Sequence, residues 1–491
     1  MTFGTFRVYD DIPHQRGVYC NRSLNLRSIG AIGYDMDYTL VHYNVEAWEG
    51  RAYQHIKLRL LDAGWPVEDL EFDPHWVMRG LVIDLKLGNI VKANRFGYIW
   101  RATHGSQLMG YGEMRKAYTR TLVDLSDRSR WVFLNTFFSI SAGVMYSQLV
   151  DLLDDGKLPE VLGYGDLYWR VQDVLDAAHI EGELKAEIMA TPERYVDRDP
   201  LMPETLRDQR RAGKKTVLIT NSGYEYTNFM LTYTMDPYLP SGQTWRSLFD
   251  IAVVAARKPD FFRTDSPVYE VVSPEGLLEP WVGTLEENRV YHGGNARAIE
   301  DCLGMSGDEI LYVGDHLFAD VNTTKSVLRW RTALVLREME RELEAIEACE
   351  DDQETIQSMM VEKVDLEEQI AHTRLELARQ RAEGREAYDG PGLGRFKGMG
   401  IDDLEAHIQE LREEIIGLDQ QLAPLVRRDG RAFNEVWGYL MRTGNDKSHL
   451  TRQVERYADI YTSRVSNLMR YTPYMFFRAP RGSVPHDPHT V

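Results

Sequence analysis

The stretch Ala31–Tyr43, AIGYDMDYTLVHY, decides how the chain is read. An apolar run ends at Asp35, a second aspartate follows at Asp37, and Thr39 stands two places further on. A hydrophobic core has no use for two carboxylates this close, since they repel each other and burying either charge is costly. A strand ending at the carboxyl edge of a parallel sheet delivers such side chains into a crevice. Taken alone, the pattern fits a turn or a helix N-cap equally well, because Asp and Thr are common there.

Other strand-like runs supply the context. KTVLI (215–219) leads into Thr220, Asn221 and Ser222; FDIAVVAA (249–256) into Arg257, Lys258 and Pro259; EILYVG (309–314) into Asp315, with Asp320 five residues on. Each is followed by a helical pattern, which predicts βα units and a mainly parallel, Rossmann-like sheet. Together the four strand ends hold the parts of a phosphoryl-transfer site. Asp35 suits a carboxylate nucleophile. Asp37 suits an acid that protonates the leaving alkoxide and then activates water. Thr220, Asn221 and Ser222 offer hydroxyls and amides near a helix start for phosphate oxygens, and Lys258 offers a charge for the transition state. Asp35 and Asp315 suit a hard cation such as Mg²⁺, and Asp320 either orients Lys258 or a metal-bound water.

The chain from 44 to 205 separates the first strand end from the second and exceeds any ordinary loop. Its segments VEAWEGRAYQHIKLRLLDAG, SAGVMYSQLVDLLDDG and DLYWRVQDVLDAAHIEG read as helices, and LVIDLKLGNIVKAN as a hairpin around Gly88-Asn89. The expected organisation is a core of 1–43 and 206–337 and an inserted, largely helical cap of 44–205, whose base can belong to the core. A charged helical hairpin (338–428) and a C-terminal segment (429–491) that packs back on the core complete it. Leu404, Ile408, Leu411, Ile415, Leu418 and Leu422 alternate steps of four and three, a heptad seam. The Gly/Pro-rich YDGPGLGRFKGMG before it predicts the hairpin turn. The hairpin reads as a structural arm or oligomer contact, with a regulatory arm as the alternative.

Composition narrows the class. Among 491 residues the formal charge is −19, which disfavours duplex nucleic acid and anionic membranes as partners. Cys20, Cys302 and Cys349 lie far apart, without the spacing of a disulfide framework or a zinc cage. The N-terminal MTFGTFRVYDDIPHQRG lacks the apolar block of a secretory signal, so a cytoplasmic protein is expected.

Asp35-x-Asp37-x-Thr39, Thr220, Lys258 and Asp315…Asp320 resemble, in order, the four motifs of the haloacid dehalogenase phosphatases. DMDYTL, LNTFF, TNSGYEYTNFM, ARKPDFF, YHGGN, LYVGDHLFAD and QVERYADIY resemble stretches of the cytosolic purine 5′-nucleotidases, the IMP/GMP-preferring class. The resemblance implies an α/β core with an inserted cap, a purine nucleoside monophosphate as substrate, and a homo-oligomer, dimer or tetramer. It implies an aspartyl-phosphate at Asp35 and Mg²⁺ held by Asp35, the Asp37 carbonyl and Asp315. It places the nucleobase against Phe138, Gln172, Asp176, His179 and Lys185, and an effector nucleotide against Asn135, Phe318, Gln453 and Tyr457. Three departures stand out: Gln172 where the family has arginine, Ser139 where it has asparagine, and an effector site short of cations. No arginine is read near Leu125, and Ser326 replaces a lysine, with Lys325 adjacent.

Overall fold

The apolar runs form the middle of one ten-stranded sheet. The computed structural model describes residues 12–159, 163–180, 182–383, 396 and 398–480, with the backbone alone for 178–180. In spatial order the strands are Val18–Cys20, Ile460–Thr462, Arg331–Val335, Ile310–Gly314, Ala31–Tyr34, Lys215–Ile219, Ile251–Val254, Arg289–Gly293, Val268–Val271 and Leu278–Pro280. From Ile460–Thr462 through Arg289–Gly293 all neighbours are parallel, and antiparallel strands finish both edges.

Ala31–Tyr34 is central and wholly buried. From it the chain steps outward through Lys215–Ile219, Ile251–Val254 and Arg289–Gly293, then returns to its other side with Ile310–Gly314. An open α/β sheet binds ligands at such a reversal, outside the carboxyl ends of its strands. Asp35 and Asp315 are the residues immediately after the two strands that flank it. Ile219, Val253, Phe261, Phe262, Ile310, Tyr312 and Trp330 pack one face of the sheet. Gly33 is glycine for a packing reason: a Cβ there would lie 2.8 Å from Cδ2 of the Tyr312 ring, which crosses the strand.

The insertion is mixed rather than largely helical. Helices Val45–Asp62, Ile140–Asp154 and Tyr164–Ile180 pack on one another. They share the segment with a five-stranded antiparallel sheet in the order Gln107–Leu108, Ile99–His104, Asn89–Ala93, Val82–Asp84, Trp131–Phe133. The expected hairpin is its centre, with Asp84 opposite Asn89 and Gly88 at φ +71° in the turn. The other strands escape a sequence reading because they are short and Ile99–His104, IWRATH, lacks a clean alternation. The outgoing linker His42–Tyr43 pairs antiparallel with the returning linker Val196–Asp197, so both crossings between sheet and insertion form one ribbon. Among the described residues no helix is long and apolar enough to cross a membrane.

Residues 342–439 form a separate compact unit. Its helices Glu350–Glu383 and Ile401–Arg431 run antiparallel, tied by Gln353–Asp429, Lys363–Asp419 and Arg381–Glu405. The heptad residues Leu404, Ile408, Leu411 and Leu418 are buried against Leu366, Ile370 and Leu377. The Gly/Pro-rich stretch expected as its turn lies mostly outside the described residues.

The strand Ile460–Thr462 enters the core sheet between Val18–Cys20 and Arg331–Val335. Asp459, just before it, is 1% exposed. Its carboxylate accepts from Lys325 (2.5 Å), Arg22 (2.7 Å), Arg331 (2.9 Å) and the Thr332 amide (2.9 Å). Burial alone would raise this carboxyl; Lys325, Arg331 and Arg22 overcome it and hold it down to about 2. A depressed carboxyl pKa stabilises the fold above its unfolded value, roughly 4, and that contribution fades as pH falls towards the folded value. Two units of depression correspond to about 2–3 kcal/mol. Asp459→Asn is therefore expected to lower unfolding free energy by about that amount at pH 7, and the gap to wild type to shrink by pH 3. Urea titrations at the two pH values check it; a gap independent of pH contradicts the assignment.

Candidate active site

The turn after Ala31–Tyr34 is held by the neighbouring strand and by itself. The Asp35 amide donates to Val313 O at 2.9 Å, and the Met36 carbonyl collects the amides of Thr39, Leu40 and Val41 at 3.2, 2.9 and 2.9 Å. Tyr38 adopts φ +54°, a left-handed conformation uncommon outside glycine that tight functional turns retain. The turn leaves Asp35 buried and brings Asp37 beside a different strand end. Asp37 Oδ1 accepts from Tyr43 Oη and Oδ2 from Ser222 Oγ, both at 2.6 Å.

Lys258 is the hub of the site. Its ammonium lies 2.7 Å from Asp35 Oδ1, 2.8 Å from Asp320 Oδ1 and 3.1 Å from Tyr312 Oη. Burial would strip its proton; Asp320 and Asp35 outweigh burial and hold it charged. Its backbone is clamped by Asn221, whose side chain accepts from Lys258 N at 2.6 Å and donates to Lys258 O at 3.1 Å. The side chain of Asn221 thus positions the lysine. Thr220 is buried and its hydroxyl accepts from the Ser222 amide at 3.1 Å.

The third and fourth acids come from the strand Ile310–Gly314 and the π-helical turn Leu317–Asn322. Asp320 Oδ2 accepts from the His316 amide at 3.1 Å. Gly314 makes that approach possible: a Cβ there would stand 2.4 Å from Asp320 Oδ2. Asp315 is 3% exposed and its Oδ2 has no hydrogen-bond partner; the Arg79 guanidinium is 4.0 Å away. Ligand oxygens of Asp35, Asp315 and Asp320 all lie within 4.8 Å of one another. Burial pushes the Asp315 carboxyl up to about 8, with Asp320 adding to it and Arg79 and Lys258 opposing. Three buried carboxylates, one of them with an orphaned oxygen, around one lysine form an oxygen-rich, under-neutralised pocket that fits a hard divalent cation.

On the insertion, Phe138 is half-buried, with its ring edge-on to Tyr38 (4.9 Å) and Trp48 (5.8 Å). Gln172 donates to Asp176 at 3.2 Å and receives Tyr168 Oη at 3.3 Å, three side chains one turn apart on Tyr164–Ile180. The side chain of His179, on the same helix, lies outside the described residues. Lys185 contacts the core: its ammonium is 3.1 Å from Ser222 Oγ and 4.7 Å from the Tyr226 ring centroid.

Asn135, Phe318, Gln453 and Tyr457 line a single cavity of about 730 Å³. The cations that sequence reasoning found missing are there: Arg128, Arg452 and Arg456 line it too. Arg452 and Arg456 lie on the C-terminal helix His449–Tyr457, remote in sequence from Leu125, whereas Arg128 stands only three residues from Leu125 and corrects the reading of no arginine near it. Lys325 is engaged instead by Asp459.

The chemistry available to such a site is transfer of a phosphoryl group from an ester, through a carboxylate, to water. A model of the 5′ nucleotidase family matches residues 18–489. A 5′-nucleotidase domain-containing protein of Dictyostelium discoideum is 24% identical over 482 residues, 96% of this chain and 74% of that protein. Among solved structures, an archaeal β-phosphoglucomutase from a hyperthermophilic Pyrococcus species matches at 11% identity and TM-score 0.28, covering 62% of this chain and 86% of that one. CbbY from Rhodobacter sphaeroides in complex with phosphate matches at 14% identity and TM-score 0.23, covering 63% and 87%. The chain belongs to the 5′ nucleotidase family, and its reaction class is phosphomonoester hydrolysis.

Gly314→Ala tests the packing of this site. The added methyl must displace Asp320 and so loosen Lys258, with about 1–3 kcal/mol of destabilisation and loss of most turnover. Thermal melts and phosphate release check it; a variant as stable and as active as wild type shows that the close approach is not required.

Proposed function

We propose that the protein hydrolyses purine nucleoside 5′-monophosphates of the IMP/GMP type to nucleoside and phosphate through an aspartyl-phosphate on Asp35. The carrying observation is Asp35 Oδ1 at 2.7 Å from the buried Lys258 ammonium, with Asp37 two residues further on. An Asp35 oxygen attacks phosphorus and the bond to the 5′ oxygen breaks. Asp37 supplies that oxygen its proton, then takes one from the water that attacks the phosphoenzyme, and Asp35 is released. Thr220, the Asn221 amide and Lys258 hold the phosphate oxygens, while Ser222, expected beside them, commits its hydroxyl proton to Asp37. Asp35, Asp315 and the Asp37 carbonyl would hold Mg²⁺, which when bound supplies neutralising charge beside the phosphate. A nucleoside in place of water would make the same route a phosphotransferase.

Phe138 is the stacking face for the purine, a contact type giving about 1–3 kcal/mol per base. Gln172 and Asp176, linked to each other, face the base edge with neutral and acidic groups, where relatives of the resembled class carry a guanidinium; the pocket recognises a ring N–H rather than a charge. The cavity holding Asn135, Phe318, Gln453 and Tyr457 is the effector site, with Arg128, Arg452 and Arg456 as its phosphate-binding cations.

A panel of nucleoside monophosphates, assayed with Mg²⁺ and with chelator, tests the reading. Turnover should need the metal and be highest with IMP or GMP, and Asp35→Asn should lose at least about 10³-fold, as removal of a covalent nucleophile does. An asparagine variant of undiminished rate overturns it. Phe138→Ala should raise KM for IMP about tenfold, one stacking contact's worth, and leave an aryl phosphate unaffected. Equal losses on both substrates would point to another small phosphomonoester as substrate.

A further inference from the structure

We propose that Tyr43 is a positioning residue that sets the orientation of Asp37 from the linker between sheet and insertion, with Tyr226 as its brace. The proposal rests on the reading of Asp37 as the acid and base of the reaction. Tyr43 ends the outgoing linker and pairs with Val196 of the returning one. Its ring lies 4.4 Å from Trp48, on the first helix of the insertion, and 5.1 Å from Tyr38 in the catalytic turn. Its hydroxyl donates to Asp37 Oδ1 at 2.6 Å and lies 3.0 Å from Tyr226 Oη, on the core helix Tyr224–Thr234.

The proton inventory gives this chain a direction. A phenol has one proton; Tyr43 commits its own to Asp37, so Tyr226 donates to Tyr43. The other Asp37 oxygen ends a second chain, in which Lys185 donates to Ser222 Oγ and Ser222 donates to Oδ2. Terminal carboxylate torsions are broad and nearly two-fold, so an aspartate held by one contact samples many orientations. Two donors from opposite sides remove that freedom. One chain passes through the linker and the other starts on the insertion helix Glu183–Ala190. The orientation of Asp37 is thereby tied to the placement of the insertion, and a general acid works only within hydrogen-bond reach of the oxygen it protonates.

Tyr43→Phe keeps the ring among Trp48 and Tyr38 and removes one oxygen. The discriminating measurement is leaving-group dependence in the first turnover. A nucleoside 5′-alkoxide needs a proton to depart; 4-nitrophenolate does not. Tyr43→Phe is expected to slow inosine release from IMP about 100-fold at unchanged KM, the scale of a small misplacement of a reacting group. The burst of 4-nitrophenolate from 4-nitrophenyl phosphate should stay near the wild-type rate, which also shows that the variant is folded. Tyr226→Phe should give a smaller loss with the same selectivity. Equal slowing of both substrates, or of neither, overturns the positioning role. Asp37→Asn runs beside it: selectivity there without selectivity in Tyr43→Phe sinks this inference alone, whereas equal slowing by Asp37→Asn removes the acid–base reading and this inference with it.

Discussion

A buried ammonium between two buried carboxylates organises this protein. Lys258 contacts Asp35 and Asp320 at 2.7 and 2.8 Å in a place where none of the three is more than 8% exposed. Unpaired, any of these charges would be too costly to bury; together they are tolerated only with near-ideal geometry. That demand explains features scattered along the chain. Asn221 clamps the lysine backbone, Gly314 yields space to Asp320, and Gly33 yields space to Tyr312, whose hydroxyl reaches the lysine. Left-handed φ values at Tyr38, Ala255 and Arg257 lie in the two strand-end turns that aim the charged groups.

The site holds more negative than positive side-chain charge. Asp315 and its orphaned oxygen add a third carboxylate to one lysine and a more distant Arg79. Such a pocket favours whatever brings positive charge, a proton or a divalent ion. This reconciles a chain of net charge −19 with an anionic substrate: the local field, not the total, governs binding.

The insertion does more than cover the sheet. Its linkers form one ribbon, Tyr43 on that ribbon touches Asp37, and Lys185 touches Ser222. Two hydrogen-bonded chains therefore run from the insertion and its linker into the core and meet at Asp37.

Much of this was legible beforehand, and the division has a physical basis. By itself the sequence determined the parallel sheet and the antiparallel helical hairpin, because both are written in local periodicity: short apolar runs ending at polar residues, and leucines spaced four and three apart. It also marked the acidic and basic residues at the four strand ends, since aspartates behind an apolar run have no core use. What only the tertiary structure decided depends on contacts remote in sequence. The insertion's second sheet, built from strands too short to carry a period, is one case. Others are Asn221 turned onto Lys258, Lys185 at Ser222, Arg452 and Arg456 lining one cavity with Arg128, and Asp459 gathering Arg22, Lys325 and Arg331. A side chain's partner follows from where strands end and helices cross in space, and no local pattern encodes that.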